Sequence, residues 1–536
     1  MENLKKSNLI NKNELLNLKE ASLWASKYLN KKVTVANISY LTQYGKIKRI
    51  SFEGTTTVSK KDLVKYYNSI NKNKINENDS LDWELSFEQY KEAETTKHVH
   101  RLHPYKGKFI PQLVEYFLND KTTNLKKEVY FHKGDIILDP FAGSGTTLVQ
   151  ANELGMHAIG IDISEFNTFI CNCKLRKYSI KYIKDAVERV SSILNKNYLS
   201  SNIQEFTNEL DLILSSFNNR YFPSPEYKIK LNNGKIDENK YSKEKELKIN
   251  EQYSALIKKF KINLNNDSNS TFLDKWYIPS IRKEIDFAKG EIKSIEDKYV
   301  REILFLALSR TIRSCRATTH SDLATLLNPV YSPYYCAKHG KICRPLFTLV
   351  KWWNKYSTDT MERIYQYSVL RTETKQICIT GDSRSIDIFK SVDFDNTFSE
   401  YTRNNRIDGI FTSPPYVGLI DYHEQHAYAY ELLELKRRDD AEIGKMSKGQ
   451  SRVARKEYVK NVSDVLTNCK KYLKNNYNVF IVANDKYNLY PEIAELSGMK
   501  IIQQFNRPVL NRTEKDKNKY SESIFHLRSK DERKEC

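Results

Sequence analysis

The sequence predicts an α/β fold, in which a doubly wound seven-stranded sheet carries a large helical insert and a small N-terminal domain. Three observations predict it. A glycine-rich turn follows an apolar strand in "DIILDPFAGSGTTLVQANELGMHAIGIDIS", which begins at residue 135. After about 200 residues of helical pattern, the alternation of strands and helices resumes at "QICITGDS" (376–383). A separate pattern of two helices, a hairpin and a helix occupies residues 14–70.

The composition indicates a reducing compartment and an anionic partner. No run approaches the roughly 18 apolar residues that span a bilayer, and "MENLKKSNLINKNELL" lacks the apolar core of a signal peptide, so we expect a cytoplasmic protein. Eight cysteines at irregular spacing are typical of free thiols. The 87 Lys and Arg residues against 67 Asp and Glu give a formal charge of +20. This favours nucleic acid, although Lys and Asn are abundant throughout the chain.

The N-terminal pattern has start signals for its helices. The stretches "LKEASLWASKYL" and "TVANISYLTQYG" predict two helices, with Thr34 as the N-cap of the second. A hairpin "KIKRISFEGTTTVS" and a helix "KKDLVKYY" follow, and Ser59 and Asp62 have capping-box spacing. The order resembles the excisionase-like winged helix-turn-helix, which implies a DNA-binding module over residues 1–72. A generic helical cap is the alternative.

The glycine-rich turn belongs to one βαβ unit. Gly143 and Gly145 follow the first strand and open a helix, where no Cβ blocks a ligand. Asp162 ends the second strand and is placed to accept both hydroxyls of a ribose. The turn lacks the third glycine of the dinucleotide fingerprint and the Gly-Lys-Ser/Thr of a phosphate loop. By itself the unit predicts a ligand that contains a nucleoside.

Five further strands and two helices complete the sheet domain. They are predicted at 376–383, in "IDGIFTSPPY" (407–416), in a helix near 456–474, in "NVFIVAND" (478–485), in a helix "PEIAELSG", in "MKIIQQF" (499–505) and in "SESIFHL" (521–527). The intervening insert looks helical. Its Lys/Glu/Asn-rich stretch "LNNGKIDENKYSKEKELKIN" (231–250) predicts a loop or a disordered segment.

Two consecutive prolines end the strand before "SPPY". Pro414 and Pro415 cannot donate backbone hydrogen bonds, so the strand must stop at Ser413 and continue as a rigid, extended turn. Such a turn is either simple punctuation or a fixed set of carbonyl acceptors with the ring of Tyr416 beside it.

The two motifs together are much more specific than either alone. "DPFAGSGTT" followed by "SPPY" resembles the S-adenosylmethionine-dependent DNA methyltransferases that modify exocyclic amino groups, the N4-cytosine and N6-adenine enzymes. The resemblance implies site-specific methylation of a base flipped out of double-stranded DNA. It also implies the modification enzyme of a restriction-modification system, with a cognate restriction endonuclease as partner. Ser413 favours cytosine N4, and adenine N6 is the alternative. An RNA methyltransferase and a non-catalytic DNA-binding regulator on the same fold are further alternatives.

The resemblance assigns roles residue by residue. The catalytic residues would be Ser413, Pro414, Pro415 and Tyr416. The "HPYKGKF" stretch (103–109) resembles the segment that covers the carboxylate end of the cofactor, Asp162 would bind the ribose, and Asp382 would meet the adenine. The residues assigned to S-adenosylmethionine are His103, Pro104, Lys108, Phe109, Asp139, Phe141, Ala142, Gly143, Gly145, Thr146, Thr147, Asp162 and Asp382.

The same resemblance divides the chain. Residues 73–175 would form the cofactor half of the methyltransferase domain and residues 371–530 its catalytic half. The helical insert, 176–370, separates them. The insert falls between the ribose acid and "TGDS", so it would serve either target recognition or the structure of the sheet domain.

Two weaker clusters lie in the insert. Arg310, Arg313 and Arg316 are three residues apart, which predicts a basic helix stripe that contacts phosphates or faces solvent. Cys336, His339 and Cys343, with Cys315 or His320 as a fourth ligand, are chemically suited to zinc. Free thiols in a loop are the alternative, and the sequence alone assigns no metal ligand.

Overall fold

The structure, a computed structural model, describes most of the chain in two compact units. The described residues are 14–29, 33–43, 47–52, 55–75, 81–199, 202–264, 271–320, 328–345, 348–509 and 521–530. The first unit comprises Met1–Ser80 and Ser216–Lys245, and the second comprises Leu81–Ser215 and Glu246–Cys536. Within these described ranges no helix is long and apolar enough to cross a membrane.

The N-terminal residues form a three-stranded sheet with three helices. In chain order the elements are β1 (Leu15–Asn17), α1 (Leu18–Tyr28), α2 (Val35–Gln43), β2 (Arg49–Phe52), β3 (Thr55–Ser59) and α3 (Lys60–Ile75). The sheet order is β1-β3-β2 and every pair is antiparallel. The core consists of Ala21, Ala25, Ile38, Leu41, Ile47, Val58, Leu63 and Tyr67.

The helix starts in this unit are where the sequence places them. The Thr34 hydroxyl accepts a hydrogen bond from the Asn37 N–H at 3.2 Å, so Thr34 caps α2. The Ser59 hydroxyl accepts from the Asp62 N–H at 3.4 Å at the start of α3. The last two residues of the expected second helix and the tip of the hairpin, 53–54, lie outside the described residues. DNA binding by this unit stays a prediction.

The sheet domain begins with the predicted βαβ unit. Its elements are α4 (Glu92–Thr95), α5 (Pro111–Leu118), β4 (Ile136–Asp139), α6 (Thr146–Glu153), β5 (His157–Asp162) and α7 (Glu165–Leu175). Helix α6 follows Gly145, whose φ of +77° is in the left-handed region that favours glycine. Helix α7 is capped by Ser164, whose hydroxyl accepts from the Asn167 N–H at 3.1 Å.

The insert is helical, as expected, but the expectation of a loop or disorder over 231–250 is wrong except at the turn 233–237. Its elements are α8 (Ile180–Leu199), α9 (Asn202–Tyr221), α10 (Glu226–Asn232), α11 (Glu238–Phe260), α12 (Phe272–Trp276), α13 (Pro279–Lys293), α14 (Lys298–Cys315), β6 (Tyr334–Cys336), β7 (Lys341–Cys343) and α15 (Leu349–Leu370). Lys and Glu are good helix formers. Buried Ile249, Tyr253 and Leu256 recur at helical spacing, which gives α11 one apolar stripe.

The second half completes the predicted seven-stranded sheet. Its elements are β8 (Gln376–Thr380), α16 (Asn396–Asn405), β9 (Ile407–Thr412), α17 (Tyr422–Gln425), α18 (Ala427–Leu433), α19 (Arg452–Lys470), β10 (Leu473–Ala483), α20 (Tyr490–Leu496), β11 (Met499–Pro508) and β12 (Ser521–Ser529). The strand order is β11-β12-β10-β9-β4-β5-β8. Strands β10, β9, β4, β5 and β8 are parallel, and β12 is antiparallel to both of its neighbours. The predicted fold class is confirmed.

The parallel strands bring three distant segments to one edge of the sheet. Strands β9, β4, β5 and β8 are neighbours, and their carboxyl ends lie on the same side. Close packing of β9 depends on Gly409, where an added Cβ would lie 2.1 Å from the Asn478 carbonyl oxygen. The chain therefore leaves the sheet at Asp139, Asp162 and Thr412 next to one another.

Candidate active site

A cleft opens at this edge of the sheet, with about 800 Å³ of empty space that includes open solvent. Seven chain segments contribute to its wall. The lining residues are Tyr105, Gly107, Lys108, Phe109, Asp139, Pro140, Phe141, Ala142, Gly143, Ser144, Thr146, Asp162, Ile163, Ser164, Asn167, Gly381, Asp382, Ser383, Ser413, Pro415, Tyr422, Ala441, Glu442 and Ile443. The structure thus brings the glycine-rich turn, the acid at the end of β5, the "TGDS" turn and the prolines after β9 into one cavity.

Asp139, the last residue of β4, fixes the glycine-rich turn through hydrogen bonds. Its carboxylate accepts a hydrogen bond from the Thr412 hydroxyl at 2.6 Å and from the Phe141 N–H at 3.1 Å. Burial raises the pKa of Asp139 to about 6. Asp139 therefore couples the turn after β4 to the end of β9.

Gly143 gives the turn its open surface. Its φ is +49°, and an added Cβ would lie 2.9 Å from the Tyr105 hydroxyl. A side chain at this position would both strain the backbone and occupy the cleft, so the wall needs glycine here.

Asp162 is held in a single orientation at the cleft wall. One carboxylate oxygen accepts from the Gly143 N–H at 2.8 Å, and the other accepts from the Ser164 N–H at 2.9 Å and from the Asn167 amide at 3.1 Å. Burial raises the pKa of Asp162, and these hydrogen bonds oppose the rise. A carboxylate that is preorganised in this way can accept further hydrogen bonds from a ligand.

The Asp382 carboxylate forms an ion pair with a neighbouring arginine that was not among the assigned residues. Arg384 donates to it from Nε at 2.9 Å and from Nη2 at 2.6 Å, and also donates to Asn461 at 2.8 Å. Burial by itself would raise the pKa of Asp382, but the hydrogen bonds from Arg384 outweigh it and leave the pKa below its ordinary value. Asp382 is therefore an ionised, paired carboxylate.

Some residues of the 103–109 segment line the cleft, and others lie behind its wall and support it. Lys108 and Phe109 line the cleft, whereas His103 is fully buried and His103 and Pro104 do not contribute to its wall. The His103 ring packs edge-on against Phe166 at 5.1 Å, and burial keeps its pKa well below the ordinary value. His103 therefore acts as a neutral packing residue.

Lys108 is tied to the backbone. Its Nζ donates to the His100 carbonyl oxygen at 2.5 Å, and burial lowers its pKa to about 8. The hydrogen bond positions the stem of Lys108 along the cleft.

The Ser-Pro-Pro-Tyr turn lies between two clefts. Ser413 and Pro415 line the cleft described above, and Tyr416 lines a second one together with residues that include Asp485 and Tyr487. The Tyr416 hydroxyl donates to Glu522 at 3.0 Å, and Glu522 pairs with Arg507 at 2.6 Å. The ring of Tyr416 is therefore anchored from its far end.

Three other assigned residues lie behind the wall. Pro414 is buried, and Thr147 is fully buried and donates to the Phe411 carbonyl oxygen at 3.2 Å. At Gly145 an added Cβ would lie 2.4 Å from the Cys171 sulfur. These residues shape the turns and do not line the first cleft.

An aromatic wall of the cleft has no counterpart in the assigned residues. The rings of Tyr105 and Tyr422 stack at 5.6 Å, and buried Glu442 accepts from the Tyr422 N–H at 2.8 Å and lies 3.1 Å from the His423 ring. Tyr105 lies inside the 103–109 segment and Tyr422 follows the prolines closely. This nearness to the motifs is the one feature of the sequence that points to these two residues. Their pairing depends on the fold.

Comparison with known proteins identifies the family. The family model for DNA methylases of the N6/N4 type matches residues 3–172. The type II methyltransferase M.MjaII of Methanocaldococcus jannaschii is 46% identical over 531 residues, which are 96% of this chain and 97% of that protein. This chain belongs to the N6/N4 DNA methyltransferase family.

Two shorter matches agree with this membership. The type II methyltransferase M.BsoBI of Geobacillus stearothermophilus is 43% identical over 72 residues, 13% of each protein. The type II methyltransferase M.MvaI of Kocuria varians is 28% identical over 141 residues, which are 25% of this chain and 28% of that protein.

The cleft of this methyltransferase fits S-adenosylmethionine, the methyl donor of the family. The cofactor has an amino-acid end, a ribose and an adenine. In the wall of the cleft, Gly143 leaves a surface without a side chain, and Asp162 provides a carboxylate in a fixed orientation. Asp382 provides a second carboxylate in the same wall.

Proposed function

We propose that this methyltransferase methylates the N4 amino group of a cytosine flipped out of double-stranded DNA at a specific site. One observation carries the proposal. Ser413 and Pro415 of the Ser-Pro-Pro-Tyr turn line the same cleft as Gly143 and Asp162. A base presented at the turn would meet a methyl donor that is bound across the ends of β4 and β5.

The chemistry requires acceptors for the amino hydrogens. The lone pair of a base amino nitrogen is delocalised into the ring, so the nitrogen is a weak nucleophile until hydrogen bonds localise that lone pair. In the described part of the chain, no backbone N–H outside the sheet ladder donates to the carbonyl oxygens of Ser413 or Pro414. These carbonyls and the Ser413 hydroxyl would accept from the amino group.

The methyl donor supplies a sulfonium-bound methyl group that is already primed for displacement. The task of the protein is to bind and orient. Asp162 would accept from the ribose hydroxyls, Asp382 would border the adenine, and the turn around Phe141 and Gly143 would bind the amino-acid end. The bound cofactor would displace water from the cleft, and the lower local dielectric would strengthen each of these hydrogen bonds.

The second cleft is suited to the flipped base. Tyr416 forms part of its wall and is held by Glu522, so its ring is preorganised for stacking on a base. The Ser-Pro-Pro-Tyr turn lies between this cleft and the cofactor cleft. A base in the second cleft would therefore present its amino group to the methyl donor beside Ser413.

Ser413 before Pro-Pro supports cytosine as the target, since the family more often has Asp or Asn there for adenine. Genomic DNA from cells that lack other methyltransferases and express this chain should yield N4-methylcytosine on nucleoside mass spectrometry. Detection of N6-methyladenine instead would contradict cytosine as the target base, but not the assignment as a DNA methyltransferase. Unmodified DNA from cells with folded protein would contradict the enzyme assignment.

We also propose that the enzyme acts in the cytoplasm, as the modification partner of a restriction endonuclease. The three relatives are type II methyltransferases by name. Sequencing of the modified DNA gives the recognition site. An endonuclease encoded beside this gene should cut that site only when it is unmodified, and cleavage of methylated DNA would contradict the pairing.

A further inference from the structure

Four metal-ligating side chains meet in the insert, away from the active-site cleft. They are His320, Cys336, His339 and Cys343, and one ligand atom from each lies within 4.8 Å of all the others. Cys336 and Cys343 are buried free thiols, His320 is half-buried and His339 is exposed. The methylation proposal uses none of these residues.

The hairpin β6–β7 brings the two thiols together. Its antiparallel register pairs Tyr334 with Cys343 and Cys336 with Lys341. Residues directly opposite share a face, and so do residues two apart on one strand, so both thiols lie on the same face as diagonal neighbours. The short spacing of Cys336 and Cys343 thus produces a pair of converging sulfur ligands.

The turn of the hairpin presents His339. The N–H groups of His339 and Gly340 both donate to the Cys336 carbonyl oxygen, at 3.0 Å and 2.7 Å. Gly340 has a φ of +62°, a conformation that favours glycine. This tight turn places Nδ1 of His339 3.3 Å from the Cys343 sulfur.

His320 comes from a different part of the chain, shortly after the end of α14. Its Nδ1 lies 2.7 Å from the Tyr334 hydroxyl, which also accepts from the His320 N–H at 2.8 Å. Metal-bound histidines typically engage one ring nitrogen with a polar partner of this kind while the other nitrogen binds the ion. The partner itself lies on the hairpin that supplies the thiols.

We propose that His320, Cys336, His339 and Cys343 bind a structural zinc ion. Zinc takes thiolate at about 2.3 Å and imidazole at about 2.0 Å in a tetrahedron, which places neighbouring ligand atoms roughly 3.3–3.8 Å apart. The His339 to Cys343 distance already meets that geometry. Two thiolates neutralise the charge of the ion, and four protein ligands leave no open position for catalysis.

The structure selects the fourth ligand between the two that the sequence offers. Cys315 is excluded because it lies in the last turn of α14, where its sulfur contacts the carbonyl oxygens of Thr311 at 3.4 Å and Thr348 at 3.7 Å. His320 is the fourth ligand, because its ligand atom lies within 4.8 Å of those of Cys336, His339 and Cys343.

Another group of ligand-type residues, His98, His100 and Glu153, is less suited to a cation. Glu153 already pairs with Lys97 at 2.6 Å and with His98 at 2.9 Å. Burial lowers the pKa of His100, and the nearby charge of Lys174 lowers it further. A divalent ion there would face added positive charge.

A zinc ion would tie the hairpin to the segment that follows α14. The hairpin region also contacts α11, because the Tyr335 N–H donates to Glu246 and the Tyr253 hydroxyl donates to the Tyr331 carbonyl oxygen at 2.6 Å. Helix α14 in turn packs against α18 and against α7, which contributes Asn167 to the wall of the active-site cleft. The ion would therefore stabilise the insert against the sheet domain.

The first test measures metal in the intact chain, purified without an affinity tag that binds metal. Elemental analysis should find one zinc per chain, and replacement by Co²⁺ should give the thiolate charge-transfer band of a tetrahedral site. Cys336→Ser and Cys343→Ser should lose the metal, whereas Cys315→Ser should retain it. A reduced, folded protein that binds neither zinc nor cobalt would overturn the proposal, as would a Cys336–Cys343 disulfide that persists under reducing purification.

A second test avoids loss of folding. His339 and Lys338 are both exposed in the same turn, so neither substitution removes buried packing. His339→Ala should weaken zinc at least tenfold in competition with a chelator, and Lys338→Ala should leave the affinity unchanged. Equal zinc affinity in the two variants would overturn the assignment of His339 as a ligand.

Discussion

At the scale of single residues, Tyr416 offers a sharp test of the catalytic turn. Its hydroxyl donates to Glu522 at 3.0 Å, and stacking on a base would use the ring face and needs no hydroxyl. Tyr416→Phe loses one hydrogen bond and should keep most activity. Tyr416→Ala should slow single-turnover methylation ten- to a hundredfold, since stacking on a base contributes about 1–3 kcal/mol. Methylation by the alanine variant at the wild-type rate, with saturating S-adenosylmethionine, would show that the turn only ends a strand.

Asp162 tests the cofactor site at the same scale. Removing its carboxylate deletes the acceptor proposed for the ribose, and also the acceptor of the Gly143 N–H. Asp162→Ala should weaken S-adenosylmethionine binding by about 2 kcal/mol, roughly thirtyfold, in calorimetry. Asp464→Ala, on α19 outside the cleft, is the matched control. Unchanged affinity in Asp162→Ala would place the cofactor elsewhere.

Asp139 gives a prediction about pH. Burial raises its folded pKa to about 6, above the unfolded value near 3.8, so folding favours the protonated form. The ionised form therefore costs stability, a cost that appears as pH rises above about 4 and is complete above about 6. Asp139→Asn removes it, and the stability of this variant relative to wild type should improve by about 2 kcal/mol between pH 4.5 and 7.5. Urea unfolding at both pH values measures this, and a pH-independent difference would contradict the assignment.

At the scale of elements, α14 differs from the basic phosphate-contacting stripe that its arginine spacing suggested. Arg310 and Arg316 are 7% and 2% exposed. Arg310 donates to Asp359 at 2.6 Å and stacks on Tyr356, while Arg316 lies over the Tyr428 ring. Spacing on a helix indicates a shared face but not what covers that face, and here α15 and α18 do.

Arg310→Ala should therefore act on stability. It removes a buried ion pair, although Arg363 continues to pair with Asp359 at 2.9 Å, so we expect a loss of about 2–3 kcal/mol in urea unfolding. The salt dependence of DNA binding should not change. Lys298→Ala, at the exposed start of α14, is the control for stability. A shallower salt slope in folded Arg310→Ala would restore the phosphate contact.

The elements that could be predicted from sequence are those with local causes. The glycine-rich turn, the acid at the end of β5 and the double proline after β9 can each be recognised from a few neighbouring residues. The stacking of Tyr105 on Tyr422 has no such signal, because it depends on how separate loops meet over the sheet. The pairing of Asp382 with Arg384 is local, but the sequence does not show which way either side chain points.

At the scale of the whole molecule, the positive charge is unevenly distributed. Residues 1–80 contain 15 Lys and Arg against 7 Asp and Glu, a net charge of +8 out of the +20 of the chain. That share belongs to less than a sixth of the sequence. An excess of this size on residues 1–80 is typical of a segment that binds the DNA backbone.

Residues 1–80, the N-terminal part of the first unit, should therefore contribute DNA affinity without affecting the cofactor site. Helix α3 ends at Ile75, beyond the boundary expected at residue 72, so the deletion that keeps elements whole removes residues 1–80. Binding of S-adenosylmethionine should stay within about twofold, because every residue lining the cleft belongs to the other unit. DNA binding should weaken, and its salt slope should become shallower by about one unit for each lost phosphate contact.

A charge-only variant separates this effect from damage to the fold. Lys48 and Arg49 are exposed at the start of the hairpin, and replacing both with alanine removes two charges while α1, α2 and α3 keep their core. The double variant should show a smaller change of the same sign in the salt slope, measured by fluorescence anisotropy with duplex DNA. Should the deleted, the doubly substituted and the intact proteins bind DNA alike at every salt concentration, the N-terminal unit would have a role other than holding the DNA backbone.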